Sequence, residues 1–178
     1  MLIDLLRSRR SIRRFTDQPI EQEKLDLLLE AALRSPSSKG FNPWEFVVVR
    51  EAERIEALSK AKSHGATFLA GAPLVIVVCA DTSKSDVWIE DASIATLLVH
   101  LEAADLGLGS CWVQLRLRDR EDGTSSQDYM RSLLRLPEGV EVLAMVGIGY
   151  PEGRKEGHPT TSLLTAQVSY EQFGQKKD

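Results

Sequence analysis

Cysteine is scarce in this chain, whose 178 residues include only Cys79 and Cys111, 32 positions apart. Such a pair forms neither a disulfide framework nor a Cys-x-x-Cys motif, and both residues lie in apolar segments where core packing is expected. Long hydrophobic runs are missing too, since the longest, Leu74–Ala80, is far below the roughly 18–20 residues of a membrane-spanning helix. We therefore expect a soluble, cytoplasmic protein with no membrane partner.

Motifs for self-contained catalysis are also absent. The three histidines, His64, His100 and His158, lack metal-ligand spacing, so structural or surface roles are expected and no metal is predicted. No Gly-x-Ser-x-Gly motif is present, and the glycine pairs at 107–109 and 147–149 lack the strand-then-helix setting of a dinucleotide-binding loop. We therefore predict no catalytic side chain, and an enzyme of this sequence would need a bound cofactor to carry the reaction.

Positive charge is concentrated near residue 1, although the net charge of the chain is −4. Residues 1–15 contain five arginines and one acidic residue, Asp4, so this segment carries +4 and the rest carries −8. Nucleic-acid binding requires a broad basic face, so this distribution argues against a nucleic-acid partner. A compact cluster of mutually repelling arginines is better suited to one small anion.

The composition, with 43% hydrophobic and 27% charged residues, is that of an ordinary globular protein, and we expect residues 1–178 to form a single domain. Apolar periodicity and chain breakers predict alternating helices and strands, which is typical of an α+β or α/β fold with about four core strands. The predicted helices cover 2–8, 21–34, 51–62, 86–105 and 127–136. The predicted strands cover 44–49, 74–80, 111–115 and 141–150, with a possible edge strand near 167–170.

The predicted helix Asp86–Asp105 is apolar around almost its whole circumference. A helix of this kind is buried on all sides, so it is either a central core helix or is covered on its second face by a partner chain. We favour the partner chain, which predicts a homodimer.

Two further segments combine residue types that bind phosphates and polar ring edges. The first, Arg9–Phe15, supplies arginine forks and a hydroxyl group that suit a phosphate. The second, Ser35–Phe46, lies between a predicted helix and a predicted strand, and its serines and asparagine supply hydrogen-bond donors. Taken singly, these segments also fit a solvated basic turn and a helix-terminating loop.

Six segments together form a recognisable pattern: Arg9–Phe15, 36–46, Gly71–Pro73, Asp86–Asp91, Gly107–Trp112 and Val146–Pro151. In this order they resemble the flavin-dependent nitroreductases in their short form, over essentially the whole chain. The resemblance implies an α+β, three-layer fold, with a central mixed sheet of four or five strands flanked by helices, in an intertwined homodimer. It also implies non-covalent FMN at the subunit interface, reduced by NADH or NADPH.

The resemblance assigns cofactor-binding roles to residues in four parts of the chain. The phosphate and ring-edge ligands correspond to Arg9, Arg10, Ser11 and Arg13, of which Arg13 lies near the pyrimidine edge of the flavin. The loop that reaches the flavin from the other subunit corresponds to Pro36, Ser37, Ser38 and Asn42. The strand end whose backbone faces flavin N5 corresponds to Trp112, Val113, Gln114 and Leu115. A late segment that helps to hold the phosphate corresponds to Gly149 with Arg154 or Lys155.

Two parts of the sequence differ from the family pattern or lack a defined role in it. The usual loop reads Ser-Ser-x-Asn-x-Gln-Pro-Trp, and here Gly40 replaces the Asn and Asn42 replaces the Gln. The missing side chain at position 40 removes a hydrogen-bond donor and opens space beside the flavin. The polar insert 118–126 is either a solvated loop, which we favour, or part of a lid.

The function implied by the resemblance is that of an FMN-dependent NAD(P)H oxidoreductase with two half-reactions. Hydride passes from the nicotinamide to flavin N5, and an electron-poor acceptor such as a nitro compound or a quinone then takes the electrons. The alternatives are a specialised flavin reaction, such as reductive dehalogenation, and a non-catalytic flavin-binding or redox-sensing role.

Overall fold

The computed structural model describes residues 1–153 and 155–177, in which five α-helices and four β-strands are present. The helices are α1 Leu2–Ser8, α2 Gln22–Leu33, α3 Ala52–Leu58, α4 Trp88–Asp105 and α5 Ser126–Leu134. The strands are β1 Trp44–Val49, β2 Leu74–Asp81, β3 Gly109–Gln114 and β4 Val140–Gly149. Each of the nine elements lies within a few residues of its predicted position.

The four strands form one sheet in the order β1-β2-β4-β3, and every neighbouring pair is antiparallel. The prediction of four core strands is confirmed, whereas the expectation of a mixed sheet needs a correction. The one parallel pairing among residues 1–153 and 155–177 is the isolated bridge between Ser11 and Ser110. Connections that contain a helix are long enough to join either parallel or antiparallel strands. The alternation of helices and strands in the sequence therefore did not determine the strand directions.

Helices cover both faces of the sheet, which gives the three layers that the resemblance implies. On one face, Leu28 of α2 and Val99 of α4 are fully buried against the central strands β2 and β4. On the other face, Leu58 of α3 and Met130 of α5 are fully buried against the same strands. Because both of its faces are covered, β2 is apolar without alternation, and Leu74–Ala80 is buried throughout.

Two predicted elements differ from the structure. Helix α3 ends at Leu58 instead of residue 62, because the Ser59 hydroxyl donates to the Glu56 carbonyl (2.7 Å) and the chain continues in tighter turns. The predicted edge strand near 167–170 is wrong, since this segment is largely exposed and pairs with no strand of the described chain. The Tyr170 amide instead donates to the Gln175 carbonyl (3.0 Å), which turns the chain back on itself.

Residues 118–125 of the polar insert 118–126 form a largely exposed loop, and Ser126 is the buried first residue of α5. The guanidinium of Arg120 lies 4.2 Å from the centre of the Tyr129 ring, within the range of a cation–π interaction. Ser125 caps α5, because its Oγ accepts hydrogen bonds from the amides of Gln127 (3.1 Å) and Asp128 (3.4 Å). The serine thus fixes where the insert ends and α5 begins.

Among the described residues no helix, including α4 with its 18 residues, combines the length and the apolar character needed to cross a membrane.

A buried histidine links α4 to the edge strand β3. His100 is 7% exposed; its Nδ1 is hydrogen-bonded to Oγ of Ser110, and its Nε2 lies 3.0 Å from Nη1 of Arg9. Burial lowers the pKa of His100 to about 4, and the positive charge of Arg9 adds to the lowering. The imidazole is therefore neutral in the folded protein at pH 7.

We expect the buried His100 to make folding stability fall as the pH falls from 7 to 5. The pKa of this histidine is about 6.5 in the unfolded chain and about 4 in the folded protein, so only the unfolded chain takes up a proton in this interval. The stabilisation is thus complete above pH 6.5 and is lost as the pH approaches 4. The free energy of unfolding should fall by about 2 kcal/mol more in the wild type than in the non-titrating His100→Gln variant.

Urea denaturation of both proteins at pH 7, 6 and 5 measures this difference. Unfolding free energies that decrease in parallel would contradict the buried, neutral state of His100.

Candidate functional site

Residues 9–16 leave α1 as an extended segment, here called the arm, which lies along the open edge of the sheet. The amide of Ile12 donates to the carbonyl of Ser110 (2.9 Å), and the amide of Thr16 donates to the carbonyl of Tyr150 (2.8 Å). Close contact with β3 requires glycine at 109, because a Cβ there would lie 2.8 Å from the Ile12 side chain. The arm therefore holds the N-terminal arginines beside β3 and the end of β4.

Two adjoining clefts follow the arm, with volumes of about 490 and 410 Å³. The first is lined by Ile12, Arg13, Arg14, Glu152, Gly153 and Lys155. The second is lined by Arg9, Arg10, Ile12, Gly153, Lys155 and the turn that leads from α4 into β3. Because Ile12, Gly153 and Lys155 line both clefts, the two adjoin, and together they are here called the arginine groove.

Two of the five N-terminal arginines are paired with carboxylates. Arg7 lies 3.3 Å from Asp4, and Arg14 lies 2.9 Å from Glu152. These side chains are all largely exposed, and exposed ion pairs contribute little to stability. The pairs nevertheless reduce the positive charge that Arg7 and Arg14 offer to a ligand.

The other three arginines, Arg9, Arg10 and Arg13, form no salt bridge within residues 1–153 and 155–177. Arg9 is hydrogen-bonded to the neutral imidazole of His100 (3.0 Å), and Arg10 donates to the backbone carbonyl of Glu156 (2.6 Å). Neither partner cancels a positive charge. The groove therefore offers two oriented guanidinium groups in its second cleft and a third, Arg13, in its first.

The thiol of Cys111 reveals how closely the arm approaches β3. Burial raises the pKa of this thiol, while the nearby Arg13, Ser11 and Lys155 act in the opposite direction. Three of the predicted cofactor-binding residues therefore surround one position of the edge strand. The structure thus brings Arg9, Arg10, Ser11, Arg13 and Lys155 together along the arm.

Beyond Ser110, the backbone of β3 is open on the side that faces away from β4. Alternate carbonyls point to this side, and that of Gln114 accepts a hydrogen bond from Nζ of Lys62 (3.2 Å). The side chains of Val113 and Leu115 are buried in the core, so these two residues can present only their backbone to a ligand. Trp112 and Gln114 lie on the opposite face of the strand, where Nε1 of Trp112 donates to Oε1 of Gln114 (3.0 Å).

Lys62 is a candidate site residue that the sequence analysis missed. Burial lowers the pKa of its ammonium group, and the positive charge of Arg118 adds to the effect. The residue stands in a polar turn without any motif. Only the packing of this turn against β3 reveals that the ammonium group lies at the open edge of the strand.

The predicted cofactor-binding loop 36–42 is anchored at the start of α4. The Ser38 amide donates to Oδ1 of the buried Asp91 (2.8 Å), whose Oδ2 accepts from the Ser85 hydroxyl (3.0 Å). Within the loop, the Asn42 amide donates to Oγ of Ser37 (2.9 Å). These hydrogen bonds tie the loop to α4 and close it into a tight turn.

The loop and the arm contact different parts of α4. Asp91 holds the loop and His100 contacts the arm, and these two residues are about 14 Å apart along the helix axis. Pro36 and Gly40 are exposed, and Gly40 has a φ of +71° with open space where a side chain would lie. Within the described chain, the structure does not bring the predicted loop residues into the arginine groove.

Gly149 ends β4 beside the arm. A Cβ at this position would lie 2.7 Å from Pro73 and 2.9 Å from Phe15, so glycine is required for close packing. Of the two basic residues predicted to help with a phosphate, Lys155 lines the groove, whereas Arg154 lies outside the described residues.

Comparisons with known proteins match the chain over most of its length. The Nitroreductase family profile matches residues 6–67 and 60–150. A solved structure of an FMN-dependent nitroreductase from Clostridium difficile R20291 has a TM-score of 0.94 and 44% identity, over 96% of this chain and 99% of that chain.

Two curated relatives also match most of the chain. A protein of Archaeoglobus fulgidus, provisionally named NADH dehydrogenase/NAD(P)H nitroreductase, is 37% identical over 86% of this chain and 87% of its own length. The FMN reductase (NAD(P)H) of Bacillus subtilis is 28% identical over 89% of this chain and 69% of its own length. The arm, α4 and the edge strand all fall within the matched residues, and the chain belongs to the nitroreductase family.

Proposed function

We propose that the protein is an FMN-dependent NAD(P)H oxidoreductase that binds FMN in the arginine groove. The observation that carries the proposal is the set of oriented guanidinium groups beside β3 that have no carboxylate partner within the described chain. The names of two similar proteins, an FMN-dependent nitroreductase and an FMN reductase, support this choice of cofactor.

The phosphate of FMN fits the second cleft by charge and by donor chemistry. Arg9 and Arg10 supply guanidinium groups, and Lys155 supplies an ammonium group at the border with the first cleft. Arginine forks match phosphate oxygens in geometry, and each charge-assisted hydrogen bond contributes roughly 1.5–3 kcal/mol. A phosphate there would also relieve the repulsion among these neighbouring cations.

The flavin ring would then lie towards the first cleft and the open edge of β3. Arg13 lines this cleft, and the backbone at Trp112–Gln114 offers amide and carbonyl groups at the strand edge. The chemistry that FMN supplies when bound is hydride transfer, from NAD(P)H to flavin N5 in one half-reaction and on to an electron-poor acceptor in the next. The chain itself would bind and orient the cofactor, which explains why its sequence contains no catalytic triad.

We also propose that two copies of the chain form the active unit. One face of α4 remains uncovered by the sheet, with Ile94 40% and Leu97 47% exposed, and α1 exposes Leu2 and Leu6 nearby. An exposed apolar surface of this kind is typical of a protein–protein interface. A second copy seated there would bring its own loop 36–42 towards the groove, which the loop of the same chain does not line.

Two broader expectations from the sequence stay predictions. We propose that residues 1–178 form a single FMN-binding domain, and that the protein works in the cytoplasm with a small-molecule acceptor.

The function is tested on the purified full-length protein. We expect the visible absorption bands of bound flavin, and oxidation of NADH or NADPH that depends on added quinone or nitroarene. Initial rates at several fixed acceptor concentrations should give parallel reciprocal plots, as two separate half-reactions require.

Two outcomes would contradict the proposal. A chain that neither contains flavin nor binds added FMN would exclude a flavin protein altogether. Bound flavin without turnover would support the non-catalytic binding or sensing role instead.

A Leu97→Asp substitution tests the dimer. We expect the wild type to have twice the chain mass of 19.8 kDa, and the variant to be monomeric and depleted of FMN, because the interface cannot accommodate an unpaired buried charge. Light scattering and absorbance measure both properties. As a control, Ser132→Asp places the same charge on the exposed side of α5 and should change neither the mass nor the FMN content. A flavin-loaded wild-type monomer would refute the proposal.

Arg13→Ala and Arg9→Ala distinguish the two ends of the cofactor. Reduction adds negative charge to the pyrimidine edge of the flavin but not to its phosphate. Arg13→Ala should therefore lower the midpoint potential, by about 30 mV for every ~1.4 kcal/mol lost, while Arg9→Ala should weaken both redox states equally. Spectroelectrochemistry measures the midpoint potential of each variant, with Arg7→Ala outside the groove as the control. An unchanged potential in FMN-loaded Arg13→Ala would contradict the position of Arg13 at the pyrimidine edge of the flavin.

A further inference from the structure

Arg9 has an uncommon partner for a guanidinium group close to the protein interior. Its Nη1 lies 3.0 Å from Nε2 of His100, a residue 91 positions away on α4. A carboxylate at this place would orient the arginine equally well, but it would also neutralise the charge. A neutral imidazole orients the guanidinium and leaves its full charge for an anion in the groove.

The hydrogen-bond chemistry fixes the tautomer of His100. A guanidinium group has no acceptor, so the Nε2 of His100 that faces Arg9 must be unprotonated. The proton of the neutral ring is then on Nδ1, which donates it to Oγ of Ser110. The three side chains form a directed chain of hydrogen bonds, in which Arg9 in the groove donates to His100 and His100 donates to Ser110 on the edge strand.

The two ends of this chain are rigid. Ser110 lies in β3, and its carbonyl accepts from Ile12, three residues after Arg9. His100 is 7% exposed and stands on α4, whose neighbouring residues Val99 and Ala103 are fully buried. The arm is therefore held at Ile12 by the backbone of Ser110, and at Arg9 by the side chain of Ser110 acting through His100.

We propose that His100 is a positioning residue for phosphate recognition, an inference that rests on the proposed function. His100 holds Arg9 in the orientation that binds the flavin phosphate and leaves the charge of Arg9 intact. The histidine touches no ligand itself and acts only through Arg9. It makes the cleft selective for a flavin nucleotide over a flavin without phosphate.

The test compares FMN with riboflavin, which carries the same ring and lacks the phosphate. Full-length wild type and variants freed of flavin are titrated with each compound, and binding is followed by quenching of flavin fluorescence. Arg9→Ala should weaken FMN binding by about 10- to 150-fold and leave riboflavin binding nearly unchanged. If Arg9→Ala fails to lower the preference for FMN, the phosphate site of the proposed function is wrong, independently of His100.

His100→Leu should weaken FMN binding by about 2- to 10-fold with little effect on riboflavin, because Arg9 keeps its charge and loses only the partner that orients it. In the Arg9→Ala background the same change should have no further effect on FMN, because its effect passes through Arg9. His100→Gln should restore much of the preference, since its amide oxygen can accept from Arg9 near the place of Nε2.

Ser110→Ala provides a second variant that removes only the far end of the hydrogen-bond chain. It should lower the preference for FMN less than His100→Leu does, and it keeps the proposal testable if the leucine variant folds poorly. Equal weakening of FMN and riboflavin by His100→Leu, or an undiminished effect in the Arg9→Ala background, would show that His100 serves only to pack the core and would overturn the proposal.

Discussion

The hydrogen bond from the Ile12 amide to the Ser110 carbonyl, with the adjacent bridge between Ser11 and Ser110, holds the arm on the edge of the sheet. An open edge strand normally invites pairing with another strand, and the arm occupies only the start of this one. The rest of β3, up to Gln114, pairs with no other strand of the described chain on this side. The groove lies where the arm meets the turn from α4 into β3 and the residues that follow β4, so its shape depends on this docking.

This docking concentrates positive charge, which has an energetic consequence. Arg9, Arg10 and Arg13 all line the groove without a salt bridge in the described chain, so they repel one another. Favourable contacts elsewhere in the fold, such as those of Ile12 with β3, offset the unfavourable free energy of this repulsion. A bound anion relieves the repulsion, so ligand binding and stability are coupled, and a ligand that binds only the folded state raises its stability. The neutral imidazole of His100 preserves the charge of Arg9 for such an anion, whereas a carboxylate partner would neutralise it.

Helix α4 connects the two halves of the candidate site. Its N-terminal turn holds the loop 36–42 through Asp91, and its second half holds the arm through His100. Its buried face packs on the sheet through Ala92, Val99 and Ala103, while its other face exposes Ile94 and Leu97. One apolar face of α4 thus packs in the core of the chain, and its other apolar face is a candidate subunit interface. The proposed second copy would complete the site at the same surface.

Local sequence determined much of this protein. The fully apolar run of β2, the periodic helix α2 and the arginine cluster of the arm were all recognisable, because their causes lie within a few neighbouring residues. The order of the family motifs likewise identified the fold. Elements that depend on weak local preference were predicted less well: α3 ends early at Ser59, and the expected strand near 167–170 is absent from the described sheet.

Tertiary structure alone decided the direction of the strands, the place of Lys62 at the edge of β3, and the contact of His100 with Arg9. In the sequence, His100 is one of three scattered histidines, and nothing near it indicates a partner 91 positions away. Periodicity and composition record the environment that a residue needs, such as burial or exposure. They do not record which distant residue supplies it, because that depends on how the sheet, the helix and the arm pack together.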